Sequence, residues 1–125
     1  NIRTANDWLT RDEAVVDEYN AGKLTTFLFT VNGYRGLMNM ILYVRKPRNI
    51  ERIPKNLPML MISGLDDPVG EYGKGVYRAY NSYHGHIDDI DLRLYEDCRH
   101  ELCNELNKEE IYEEIYGWIM NHMSK

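Results

Sequence analysis

The stretch Leu57-Pro58-Met59-Leu60-Met61-Ile62-Ser63, closed by Gly64, is a nearly continuous apolar run. A strand with one wet face alternates apolar and polar residues; a run without alternation expects cover on both faces, as in a parallel sheet. About 26 residues later, Ile90, Leu92 and Leu94 alternate with Asp91, Arg93 and Tyr95, a second strand with one less apolar face. Between them, Gly73 to Tyr83 carries Val76, Ala79 and Tyr80 at helical spacing. From about Lys108 to Met123, the residues Ile111, Ile115, Trp118, Ile119 and His122 fall on one helical face. Strand, helix, strand, helix predicts an α/β βαβα unit whose two strands are parallel neighbours joined by a right-handed crossover. In open α/β sheets the functional groups collect beyond the strand C-termini, so the residues after Ser63 and after Tyr95 are the ones to inspect.

The first half is less decided. Thr10-Arg11-Asp12-Glu13 before Ala14, Val15 and Val16 resembles a capped helix start, and a short amphipathic helix over about 11–20 follows. Asn20-Ala21-Gly22 breaks it. Thr25 to Val31 is apolar and open between strand and extended lid segment. After the turn signal Asn32-Gly33, the spacing of Tyr34, Leu37, Met38, Ile41 and Leu42 predicts a helix over about 33–45. Core packing is the first expectation for its stripe, with Met40 beside it; a lipid-facing lid surface is the alternative. Arg45 to Asn56, basic and holding Pro47 and Pro54, reads as a surface linker. The expected organisation is therefore 1–45, a linker at 46–56, and the βαβα part at 57–125.

Composition narrows the function. With 15 basic against 20 acidic residues and a formal net charge of −5, binding to a phosphate backbone is disfavoured, so no nucleic-acid partner is expected. No apolar run approaches the roughly 20 residues that span a bilayer, and no signal peptide opens the chain; the expectation is a cytoplasmic protein without an integral membrane segment. The chain begins at Asn1 rather than methionine, as a trimmed piece would. Cys98 and Cys103 lie five apart with His100 between them. Two reduced thiols flanking a helix start is the simpler reading. A zinc site needs a fourth ligand and usually a shorter cysteine gap, and neither is evident, although His84 and His86 could be recruited to complete one.

After the first strand comes Gly64-Leu65-Asp66-Asp67-Pro68-Val69-Gly70; after the second comes Glu96-Asp97-Cys98-Arg99-His100-Glu101-Leu102. Adjacent strands lie about 4.8 Å apart, so a carboxylate on the first loop and an imidazole on the second can meet. An acid and then a histidine, each just past a late strand, is the second half of the order nucleophile, acid, histidine found in α/β-hydrolases. Taken singly, Asp66-Asp67-Pro68 is an ordinary turn and His100 a helix-start histidine; on adjacent loops the pair is more informative.

The run Pro58 to Gly70, the Arg99-His100-Glu101 step and the closing Tyr116-Gly117-Trp118-Ile119 resemble the C-terminal region of lysophospholipase and monoacylglycerol lipase-like hydrolases, the serine aminopeptidase group of the α/β-hydrolases. Arg3-Thr4 and Trp8-Leu9-Thr10-Arg11-Asp12 resemble part of the lid region of bacterial members, so the likeness covers nearly the whole chain. The resemblance implies Asp67 as triad acid, with Asp66 as its rival, and His100 as general base. It makes residues 1–45 a lid remnant that shapes an acyl site, and implies no cofactor. It also implies a serine in a Gly-x-Ser-x-Gly elbow and an oxyanion hole. The serines here, Ser63, Ser82 and Ser124, stand in no such setting.

The expectation is thus the C-terminal part of an α/β-hydrolase that cleaves carboxylic esters, lysophospholipids or monoacylglycerols by resemblance, and is inactive by itself. Aminopeptidase activity stays open. Two strands make a poor sheet, so the expected partner is the missing N-terminal part of the same hydrolase or a second copy of the chain. The competing reading is a binding or assembly module derived from a hydrolase.

Overall fold

The computed structural model describes residues 2–123; Asn1, Ser124 and Lys125 lie outside the described residues. In order the elements are α1 (Glu13–Ala21), α2 (Val31–Val44), α3 (Pro47–Ile50), β1 (Met59–Gly64), α4 (Lys74–His84), β2 (Ile90–Tyr95) and α5 (Lys108–Met123), with a 3₁₀ turn at Leu102–Asn104. The strands are parallel and in register from Met59 opposite Ile90 to Gly64 opposite Tyr95. The expected α/β unit is present.

The alternation in β2 assigns its two faces. Asp91, Arg93 and Tyr95 face α5: the Trp118 indole N–H donates to Asp91 Oδ2 at 2.6 Å, and Arg93 and the Tyr95 hydroxyl donate to Glu114 at 3.2 and 2.9 Å. Burial, and then the bond to Glu114, pushes the Tyr95 phenol up to about 12. Leu94, of opposite parity, lies beside Gly73 at the start of α4. Helices therefore lie against both faces of β2, and its polar half is the half that anchors α5.

The core is small: Cys98, Leu102 and Ile111 are buried together, with Ile62, Tyr95 and Ile115 packed against them. Met59 to Ile62 of β1 are half-buried, against the expectation of cover on both faces. The reason is that β1 has one strand neighbour, β2, among the described residues.

The expected core stripe of α2 is also corrected. The helix forms, N-capped by Thr30, whose hydroxyl accepts from the Gly33 N–H, yet every residue from 23 to 48 is exposed. Periodicity makes one face apolar but says nothing of what lies opposite it. Thr25 to Thr30 forms neither strand nor helix. The linker holds α3, whose Ile50 is buried and whose Asn49 amide donates to the Tyr43 carbonyl at 2.6 Å. Among the described residues, no helix is long and apolar enough to cross a membrane.

Candidate active site

The two strands do not end their pairing at their last residues. The Leu65 N–H donates to the Tyr95 carbonyl and the Asp66 N–H to the Cys98 carbonyl, each at 2.9 Å, so the acid loop is laced to the histidine loop. Gly64 sits where they meet. A Cβ there would lie 2.1 Å from the Cys98 carbonyl oxygen and 2.3 Å from that of Arg99, so only glycine allows this approach.

Beyond the crossing, Asp67 folds back on its own turn. Its Oδ1 accepts from the Val69 N–H at 2.8 Å and its carbonyl from the Tyr72 N–H at 2.9 Å. Glu71, Tyr72 and Gly73 then run through three successive left-handed conformations, with φ of 52°, 54° and 81°, a costly path for the two that carry a Cβ. This geometry aims Oδ2 at the second loop, where it lies 3.0 Å from His100 Nδ1. A carboxylate only accepts hydrogen bonds, so Nδ1 is the donor in this pairing and Nε2 is the ring nitrogen left for another partner. The Asp67 side chain is 7% exposed and that of His100 39%. The acid is sequestered and the imidazole reaches solvent. The structure brings Asp67 and His100 together as the sequence predicts; Asp66, the rival, is exposed.

The loop that carries His100 is held from behind by Glu105, for which the sequence suggested no role, and by Trp8, Thr10 and Arg11 of the first segment. Glu105, fully buried, accepts from the Arg99 N–H at 2.7 Å and pairs with Arg11 Nε at 2.8 Å. That bond raises the Arg11 guanidinium further above its ordinary range. Arg11 reaches on to Asn107 Oδ1 at 2.7 Å, and the Thr10 hydroxyl donates to the Asn104 carbonyl at 2.8 Å. Trp8 packs on His100, ring centroids 5.0 Å apart. Arg11 lies in a stretch that carries the family likeness but Glu105 does not, and their separation of 94 residues hid the partnership.

This arrangement of an acid and a histidine on the C-terminal edge of a parallel pair can be compared with known proteins. Residues 1–107 match the family model described as serine aminopeptidase, S33. The chain belongs to the serine aminopeptidase S33 family. No curated protein matches this S33 chain at a significant level. Several solved structures resemble it, two of them as follows. One is a thermostable carboxyl esterase from Bacillus coagulans in complex with glycerol, with a TM-score of 0.79 and 25% identity over 99% of this chain. The other is a lipase in its open form, with a TM-score of 0.82 and 21% identity over 98% of this chain; that likeness is one of fold alone. The S33 chain spans 40% and 42% of their lengths. Its fold is part of an α/β-hydrolase.

Other nucleophiles and ligands fare poorly in the S33 chain. Cys98, next to the histidine loop, is fully buried and burial pushes its thiol up, away from the reactive thiolate. Cys103 is exposed, lies inside the 3₁₀ turn rather than before a helix, and is, like Cys98, a free thiol. Among the described residues, no three or more His, Cys, Asp or Glu side chains are gathered where a metal could sit. The Ser63 and Ser82 hydroxyls donate to the Gly64 and Ala79 carbonyls at 3.3 and 2.6 Å.

Proposed function

We propose that this chain supplies the acid and base of a serine hydrolase that cleaves carboxylic esters, with lysophospholipids or monoacylglycerols as the substrate class. The observation that carries this reading is the 3.0 Å contact of His100 Nδ1 with the buried Asp67 carboxylate. In the proposed reaction His100 Nε2 takes the proton of a serine hydroxyl as its oxygen attacks the ester carbonyl. Asp67 stabilises the imidazolium, which returns the proton to the leaving alkoxide. Water then repeats the sequence on the acyl-enzyme. The serine and the oxyanion donors come from the remainder of the hydrolase, which would also sit against the open side of β1; association with a second copy is the other way to cover that strand. Residues 1–45 form the lid, 2–22 as its anchored base and 23–45 as the apolar part facing the acyl chain, with 46–56 as the connection to the core at 57–125. The reaction takes place in the cytoplasm.

The exposed apolar segment 23–45 also suits a binding module that kept the hydrolase core without its chemistry, and one experiment separates the two. In the full native protein, Asp67→Asn and His100→Ala should each lower turnover of a short-chain nitrophenyl ester by at least ~10³-fold, while Asp66→Asn leaves it within a few-fold. The parent should label with a fluorophosphonate probe. A parent that neither labels nor hydrolyses esters leaves the binding module in its place.

A further inference from the structure

We infer that Glu105 is a positioning residue for His100, a buried carboxylate that fixes the backbone on which the imidazole is mounted. The inference rests on the reading of His100 as general base. A carboxylate removed from water is costly unless its partners replace the lost hydration. Apart from the N–H of the adjoining Leu106 at 3.4 Å, the side-chain partners of Glu105 come from the histidine loop and from the Arg11 segment packed against it. Oε1 accepts from the N–H of Arg99, the residue before the histidine, at 2.7 Å; Oε2 accepts from Arg11 Nε at 2.8 Å, and both oxygens lie 3.3–3.4 Å from the Arg11 N–H.

Around this bond the neighbouring amides are used up in order. The His100 N–H donates to the Trp8 carbonyl at 3.4 Å and the Glu101 N–H to the Leu9 carbonyl at 2.7 Å. The Arg99 guanidinium in turn donates to the Thr10 carbonyl at 3.1 Å and to the Asp7 carbonyl. On the other side, Cys98 is already tied to the acid loop through Asp66. The peptide that sets where His100 meets Asp67 is therefore held at residue 98 by the acid loop and at residue 99 by Glu105. Arg11 neutralises the carboxylate, so its charge does not compete with Asp67 for the imidazole. A pair whose only work was stability would have no need to spend its shortest bond on the amide beside the histidine; reacting groups are held true by locked neighbours of this kind.

The test reads the imidazole directly. In the full native protein with ¹⁵N-labelled histidine, the His100 ring nitrogens report which one carries the proton, and a His100→Gln sample assigns them. The parent should show the Nδ1–H form. Glu105→Gln keeps size and loses charge; Arg11→Lys keeps charge and loses the fork. Either variant should lose the preference for Nδ1–H and lower kcat for an ester while leaving KM unchanged, and Glu105→Asp should restore part of both. If Glu105→Gln folds and retains the parent's Nδ1–H form, Glu105 is a stabilising group only and the inference is overturned. Should that variant fail to fold, Arg11→Lys decides by the same criterion. A parent without the Nδ1–H form overturns the acid–histidine reading itself, and this inference with it.

Discussion

Residues 2–22 and 23–45 read alike as parts of one lid, and the second is the more apolar of the two, yet only the first is packed. In 2–22, Leu9, Thr10 and Val16 are buried. In 23–45 every residue is exposed, including Leu24, Phe27, Leu28, Val31 and Met40. The difference lies in polar anchoring. Arg11 pairs with Glu105, Thr10 bonds Asn104, and the Trp8 and Leu9 carbonyls accept the amides of the histidine loop. Segment 23–45 is tied at its two ends: the Thr25 hydroxyl donates to the Tyr19 carbonyl and the Thr26 hydroxyl to the Gly22 carbonyl, and the Tyr43 carbonyl accepts from Asn49 of α3. Hydrophobic attraction is non-directional and does not choose a docking site; directional bonds between two loops do. Exposed apolar surface on this scale marks a contact face, in keeping with the proposed acyl-facing lid.

Removing the anchor should break this contrast hardest. Arg11→Met leaves the Glu105 carboxylate buried without its countercharge. Because the Arg11 side chain is 28% exposed and water can reach part of the site, the expected loss is about 3 kcal/mol, the lower end for a broken buried pair. Arg35→Met, on exposed α2, should stay within about 0.5 kcal/mol. Urea unfolding of the native protein measures both. Equal effects would mean that the Arg11–Glu105 pair is no anchor and that segment 2–22 is held by its few apolar contacts.

Those contacts carry the next effect. Val16 is 1% exposed and Leu28 is 87% exposed. Val16→Ala removes two buried carbons and leaves a cavity, about 2 kcal/mol in all, whereas the larger truncation Leu28→Ala should change stability by no more than about 0.5 kcal/mol. A substantial loss at Leu28 would show that segment 23–45 is covered in the native protein, by the rest of the hydrolase or by a second copy, and would turn the contrast into one between an inner and an outer contact.

The parts of the molecule that were legible in the sequence depend on neighbours close in the chain. The apolar run closed by Gly64 and the alternation at 90–95 marked β1 and β2, because period and length are local properties. Asp67 and His100 were legible from their places just past two adjacent strands, and the family likeness chose Asp67 over Asp66 before burial did. Glu105 was not, because its burial follows from an arginine at the far end of the chain. The exposure of α2 was equally hidden, since a helical stripe states which face seeks cover and not whether cover is there. The half-buried state of β1 has the same origin.

The smallest effect sharpens the contrast at its edge. Asp7 accepts from the Thr4 hydroxyl at 2.6 Å and from the Arg3 backbone N–H; the Thr4 bond first, then the backbone bonds and the Arg3 charge, hold its carboxyl down at about 2. A carboxyl whose folded pKa lies below its unfolded value of 3.8 contributes stability that is complete above that value and is lost as pH falls through about 2. Hydrogen exchange of the amides at 3–9 should therefore lose protection between about pH 4 and pH 2, and Asp7→Asn should reproduce that state at neutral pH. Helix α2 contains no Asp or Glu and should show no step of its own in this window. Because Arg99 bonds the Asp7 carbonyl, loosening that begins at Asp7 should pass to the amides of Arg99 and His100 before it reaches β2. Protection at 3–9 that persists unchanged to pH 2 would mean that the carbonyls of Trp8 and Leu9, and not the acidic turn before them, set the hold on the histidine loop.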